Sequence, residues 1–307
     1  MDRSDLELIL AVQRQRSLAG AARTLDLAPS VVTKRLAAVE QRLGHRLFVR
    51  TTRRLDATAE GLEVCAHAQE LLRGFRRLDA ALEEHGSAPA GPLRIAATFG
   101  FGRRWLGPAL ADFQQRHGGL RIDLYLTEQL PDLQAEGFDG AVWLWQVPPA
   151  RSAQWTSRRL ARNRRVLAAA PAYLAQRGRP QTLDDLHVHD CLRVRENTAA
   201  GADVWTLQRA GAREARRVQV QGPLASNSGE MVRDWCLAGR GIMLRSLWDI
   251  APQLADGSLE HVLPDYAMHD ADIQWLAPWQ PRTPRKLRLL VDFLAARFRG
   301  EPWKAAT

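Results

Sequence analysis

Cysteine is scarce in this chain: Cys65, Cys191 and Cys236 are the only three in 307 residues. Their spacing makes neither a disulfide framework nor a metal-binding pattern. They read as small buried thiols in a reducing compartment. A redox pair between Cys191 and Cys236 is the alternative, and it needs Cα atoms within about 7 Å. Histidine is equally unproductive. Among eight, His187 and His189 stand two apart beside Asp190 with no further ligand near them in sequence. No metal and no cofactor is expected. Long apolar runs are missing too. No stretch approaches the ~18 residues that span a bilayer, and no apolar leader core follows the first residues. A cytoplasmic protein without a membrane partner is the expectation. Catalytic signatures are absent as well: there is no Gly-x-Ser-x-Gly, no P-loop and no His-Glu-x-x-His.

What the chain does have is a basic excess and enough apolar content to fold. Apolar residues make up 46% of it, which excludes wholesale disorder. The length suits two or three compact units. Net charge is +9. Residues 1–87 carry 14 basic against 12 acidic side chains and the remainder 29 against 22, so the excess is not confined to one end. A basic second half favours an anionic ligand, and an arginine-rich genome gives the same bias.

The first 61 residues are the most informative. Leu6, Leu8, Ile9, Leu10 and Val12 open an amphipathic helix. Ser17 is placed to cap a second helix through Leu25. Asp26-Leu27-Ala28 fits a tight turn, and Pro29 stands where a third helix places its first residue, since a missing N–H costs nothing there. Val32, Leu36, Val39 and Leu43 recur at 4, 3 and 4, one buried face. Ser30, Val31, Thr33, Lys34 and Arg35 crowd the leading end of that helix, and Ser30, Thr33, Lys34 and Arg35 lie off its buried face. A helix-turn-helix presents side chains to a DNA major groove in this way. Between Ala28 and Arg54, seven Lys or Arg face one acid, Glu40. Such a patch supplies the salt-dependent part of affinity for double-stranded DNA. Arg50, Arg53 and Arg54 belong to a basic wing.

The run from Leu47 to Gly61, with Ser17-Leu18, Ala21-Ala22, Leu25, Leu27 and Leu36 to Leu43-Gly44, resembles the LysR-type transcriptional regulators. The likeness is close over the first 61 residues and follows the order of elements beyond. It departs at Ala28, where the family carries Ser or Thr as cap, and at Pro29, where it carries a polar residue. The resemblance implies an α+β multidomain chain: an N-terminal winged helix-turn-helix (1–61), a linker and dimerisation helix (58–86), and a two-subdomain α/β periplasmic-binding-protein-like effector domain (92–301). It also implies homodimers that pair into tetramers.

Thr58 is placed to cap a helix running to about His85. Val64, Ala68, Leu71, Phe75, Leu78 and Leu82 repeat at 4, 3, 4, 3 and 4, an a/d seam for a second copy of the chain. The linker Gly86-Ser87-Ala88-Pro89-Ala90-Gly91-Pro92 follows. Beyond it, strands at 93–97, 120–126, 139–145, 166–170, 218–220, 242–244 and 273–277 alternate with helices, implying parallel sheets with crossover helices. The first subdomain is expected at about 92–161 plus 268–300 and the second at about 162–267, with a small-molecule effector in the cleft between them.

Two strand-to-helix corners carry the effector argument. Thr98-Phe99-Gly100 follows the first strand, where backbone N–H groups and a helix start favour an anion; a merely flexible turn has the same sequence. Ser226-Asn227 is the facing corner, and it also reads as a plain helix cap. Trp143 and Trp145 fall on one side of their strand, as core packing or as a stacking wall for an aromatic ligand. Together these features point to a sequence-specific DNA-binding regulator controlled by an effector. A solute-binding module and a nucleic-acid-dependent enzyme are the alternatives. The intact basic patch argues against the first, and the missing nucleophile and base motifs against the second.

Overall fold

The computed structural model describes residues 1–50, 54–83, 88–144, 147, 155–195 and 203–306. The chain divides into two compact units, residues 1–86 and 87–307. Unit one begins with α1 (Arg3–Gln15), whose start is a capping box: Asp5 N–H donates to Asp2 Oδ1 at 2.8 Å and Asp2 N–H to Asp5 Oδ2 at 3.1 Å. Helix α2 (Leu18–Leu25) starts at Ser17, whose hydroxyl accepts from Gly20 N–H, and stops at Asp26 in the left-handed region (φ 53°). Helix α3 (Pro29–Leu43) starts at Ala28 without any side-chain cap and ends at Gly44, φ 73°. Two short strands, β1 (Phe48–Arg50) and β2 (Leu55–Ala57), pair antiparallel as the wing. Helix α4 (Ala59–Glu83) follows. Thr58 caps it, its Oγ1 accepting from Gly61 N–H at 2.9 Å. Leu8, Ile9, Val12, Val32, Val39 and Leu47 fill the centre of this unit.

Glycine is obligatory at position 61. A Cβ there would lie 2.0 Å from the Leu47 carbonyl oxygen, because α4 crosses the chain leading into the wing at backbone distance.

Unit two holds two sheets. The first has the order β4-β3-β5-β15-β6, from β3 (Gly91–Ala97), β4 (Leu120–Leu126), β5 (Gly140–Trp143), β6 (Trp155–Ala161) and β15 (Ile273–Pro278). The second has eight strands. Its path runs β10-β9-β14-β7-β12-β8-β11, from β7 (Arg165–Ala169), β8 (Cys191–Val194), β9 (Val204–Arg209), β10 (Ala215–Gln219), β11 (Ala225–Ser226), β12 (Ile242–Ser246) and β14 (Tyr266–Met268), with β13 (Glu260–His261) also on β7. The expectation of parallel sheets needs correction. Pairing is parallel only along β4-β3-β5 and β12-β8-β11. It is antiparallel elsewhere, because the chain turns back through the β9–β10 hairpin and because β6 and β15, which run between the sheets, pair with each other in opposite directions.

Helices cover both sheets. A short turn α5 (Phe99–Phe101) leads through a π-helical turn, Gly102–Leu106, into α6 (Gly107–Arg116). Further on lie α7 (Pro171–Arg177), α8 (Gly229–Leu237), α9 (Leu247–Ala255) and α10 (Arg285–Arg297). Their apolar stripes are short because each needs to cover only a few strands. Leu287, Leu290, Val291 and Leu294 serve this purpose on α10. Among the described residues, no helix is long and apolar enough to cross a membrane.

Candidate DNA interface and effector cleft

The recognition helix is buried on one face and open at its leading end. Val32, Leu36 and Val39 are buried, whereas Ser30, Val31, Thr33 and Lys34 are exposed. Thr33 Oγ1 donates to the Pro29 carbonyl of its own helix at 2.9 Å. Lys34 has no side-chain partner among the described residues. Arg35 differs from the expectation of a free base-reading side chain. Its Nη2 donates to Asp5 Oδ1 at 2.8 Å and to Ser4 Oγ at 2.5 Å. It sits one position before Leu36, at the border of the buried face, and α1 supplies a carboxylate there.

Asp5 also takes Arg42 Nη2 on its other oxygen at 2.6 Å. Burial alone would raise the Asp5 carboxyl, but hydrogen bonds from Arg35 and Arg42 outweigh it and bring the carboxyl down to about 2. Glu40, the lone acid of the basic segment, is equally occupied. Its Oε1 accepts from Leu47 N–H at 2.8 Å and Phe48 N–H at 3.2 Å, tying the wing to α3. In the wing, Arg50 ends β1 with its side chain outside the described residues, and Arg53 lies outside them altogether. Arg54 is exposed and pairs with Asp56 at 3.1 Å.

On α4 the expected seam divides. Ala68 is fully buried within its own unit, along a stripe with Gly61, Cys65 and Leu72, and Val64 is half-buried against the same core. These two are therefore not open to a second copy. Leu71, Phe75 and Leu78 are 51%, 40% and 56% exposed, and Leu62 is 56% exposed. Leu82 lies outside the described side chains.

In unit two the corner after β3 meets helices from the other sheet. Thr98 is buried and makes no side-chain cap bond. Phe99 is half exposed, and its N–H donates to Glu128 Oε1 at 3.2 Å, so an internal carboxylate holds the position expected for an anion. Gly100 has a physical reason for lacking a side chain. A Cβ there would stand 3.0 Å from the Trp248 ring and 3.9 Å from Glu230 Cγ. Trp248 is buried, and its ring cannot yield as a flexible side chain can.

The π-helical turn then bridges the two sheets. Arg103 pairs with Glu230. Arg104 Nη1 donates to the Asp249 carbonyl at 2.7 Å, and Trp105 Nε1 to the Trp248 carbonyl at 3.1 Å. Behind this, the buried Asp249 carboxylate accepts from Arg245 Nε and Nη2 (2.8 and 2.6 Å) and from Arg233. On the facing corner the helix cap is Ser228, not Ser226: Ser228 Oγ accepts from Met231 N–H at 3.3 Å. Ser226 Oγ accepts from Ser228 N–H at 3.0 Å, and Asn227 is exposed.

Trp143 is no cleft wall. It is fully buried with Ala96, Leu133, Phe138, Ala141 and Leu276, because β5 is central in its sheet and covered on both faces. Trp145 lies outside the described residues. All three thiols are buried. Burial pushes Cys65 up to about 11 and Cys191 and Cys236 to about 12, far from the thiolate a redox pair needs. His189 is bound to the Tyr173 hydroxyl at 3.1 Å, and the described residues hold no metal-binding group. Sequence reasoning missed Asp5, Arg42, Trp248 and Asp249. Asp2-x-x-Asp5, a capping pattern, was the only signal among them.

A winged helix-turn-helix with an open basic end, a long helix and a two-sheet α/β body are the parts of a DNA-binding transcription regulator with an effector-binding domain. The chain belongs to the LysR family. Residues 4–62 match the bacterial regulatory helix-turn-helix protein, lysR family, and residues 86–299 the LysR substrate binding domain. It is 36% identical over 293 residues to the HTH-type transcriptional activator TtdR of Escherichia coli K12, covering 95% of this chain and 92% of that one. It is 36% identical over 295 residues to the HTH-type transcriptional regulator DmlR of the same strain, covering 96% and 94%. The fold is shared with full-length AphB, a virulence activator of Vibrio cholerae (TM-score 0.67, 24% identity, 96% and 99% covered). It is also shared with CrgA of Neisseria meningitidis (TM-score 0.60, 24% identity, 98% and 100% covered). Members of this family form oligomers.

Proposed function

We propose that Ser30, Val31 and Thr33 read operator DNA in the major groove, with Lys34 at the groove edge and Arg50, Arg53 and Arg54 of the wing on phosphates. The observation that carries this is the asymmetry of α3: an apolar stripe buried against α1 and α2, and a polar, cationic leading end in solvent. Two copies join through the exposed part of α4, with Leu71, Phe75 and Leu78 as its centre, and dimers pair into tetramers in the cytoplasm. The effector binds between the two sheets, near Thr98, Phe99, Gly100, Ser226 and Asn227. It is a small anion. The basic excess of the second half supports this. An anion settling at Phe99 displaces the Glu128 carboxylate from that N–H.

Gel-shift titration on the region upstream of the protein's own gene tests the DNA reading. Binding is expected to be tight, to weaken steeply with salt, and to be weaker in Lys34→Ala. A Lys34→Ala protein that binds like wild type refutes the assignment. Thermal-shift screening of small carboxylates against their neutral amides tests the effector class. Stabilisation by the amides alone refutes the anionic reading. Sedimentation at graded concentrations tests assembly, and a monomer throughout refutes the α4 interface.

A further inference from the structure

We propose that Arg35 is a positioning residue, and that Arg35, Arg42 and Asp5 form a latch setting the angle at which α3 meets the DNA groove. The two arginines lie seven residues apart, two turns of helix and about 10 Å along its axis. A single carboxylate on α1 receives both, Oδ1 from Arg35 and Oδ2 from Arg42. Asp5 is only 6% exposed, so its carboxylate depends on these two charge-assisted hydrogen bonds, although the arginines themselves reach solvent.

Two sets of directional bonds hold α3: Glu40 ties it to the wing, and the latch ties it to α1. The apolar contacts of α3 consist of one narrow stripe, Val32, Leu36 and Val39, and apolar contact has no direction. The latch does have direction. It is further braced by Ser4 Oγ, which accepts from Arg35 while donating to Asp2 Oδ1 at 2.7 Å. Asp5 is thus shared between the capping box of α1 and the orientation of α3, and the start of one helix becomes the reference for the other. Donors spent on Asp5 and Ser4 do not reach phosphate. The neighbouring Lys34 is free to do so.

The test is a double-mutant cycle on binding by the full chain. It uses a duplex that the wild-type protein selects from a random pool and a random-sequence duplex of equal length. Asp5→Asn and Arg35→Ala should each lower the preference for the selected duplex about tenfold, the worth of roughly one good base contact. The two together should lower it no further, since either one opens the latch. Neither should change the slope of log K against log salt, whereas Lys34→Ala should flatten it by about 0.9 for the lost phosphate. A slope flattened in Arg35→Ala as in Lys34→Ala, or losses that add in the double variant, overturns the proposal. Should Arg35→Ala fail to fold, Arg35→Gln takes its place, and the same non-additivity and unchanged slope are required.

Discussion

Asp249→Asn removes the charge at the centre of a buried cluster and keeps the side chain's size. The carboxylate is 1% exposed, and it holds Arg245 (5% exposed) and Arg233 (16% exposed), with Arg104 of the π-helical turn at 3.7 Å. Breaking a buried pair by removing one partner costs about 3–5 kcal/mol, because the remaining charge is left uncompensated. Two considerations favour the lower end. Arg104 is 33% exposed and can regain water, and the amide oxygen of Asn still accepts one guanidinium. A loss of about 3 kcal/mol in a unit of this size lowers the melting midpoint by roughly 6–12 °C. Calorimetry of the full chain measures it, following the transition of the larger unit. Asp292→Asn is the control. Its pair with Arg158 is 64% and 50% exposed on the two sides, so it is worth about 0–1 kcal/mol and should move the midpoint by at most about 4 °C. Equal shifts in the two variants would refute the argument that burial makes the Asp249 cluster costly to break.

Three further outcomes are expected. Gly61→Ala should destabilise the N-terminal unit by more than about 2 kcal/mol, since a Cβ 2.0 Å from the Leu47 carbonyl must drive α4 off the wing and break the 2.9 Å bond from Thr58 N–H; urea unfolding with DNA binding in parallel measures it. The folded Asp5 carboxyl lies at about 2, below its ordinary 3.8, so its contribution is full above about pH 4 and disappears as pH falls through 2. Unfolding midpoints followed across that range should fall in wild type and flatten in Asp5→Asn. Ala28→Ser should raise stability by about 0.5–1 kcal/mol, because residue 28 already has extended cap geometry (φ −66°, ψ 140°) and lacks only the acceptor; a midpoint unchanged or lowered contradicts this.

The helices of the N-terminal unit were legible because their punctuation is local. Ser17, Pro29, Gly44 and Thr58 each act within three residues of where they stand. What was misread depends on partners far away in sequence. Arg35 looked free because Asp5 lies 30 positions earlier. Trp143 was open to two readings because alternation along a strand does not say what covers each side, and here the segment between β4 and β5 closes that side with Leu133 and Phe138. The α4 seam needs correction at Ala68 and Val64, which pack on the core of their own unit. The stripe through Gly61, Cys65, Ala68 and Leu72 runs beside the one through Leu71, Phe75 and Leu78, and the two share an apolar alphabet. Periodicity alone does not say which stripe the chain keeps for itself. Of the hairpin β9–β10 only the end of β10 was legible, because the rest of β10 is Ala-Arg-Arg, exposed, and β9 buries only Trp205 and Leu207.

Leu62, Leu71, Phe75 and Leu78 give the long helix a further consequence. A lone copy leaves these four side chains in water. With two copies paired through this face, as proposed above, folding of the N-terminal unit and pairing become one equilibrium governed by mass action. Dilution should soften the unit and crowding with its own kind should harden it, so that a dilute and a concentrated sample melt at different temperatures. On that reading, copy number per cell sets how many molecules are competent to engage an operator, before any effector is present.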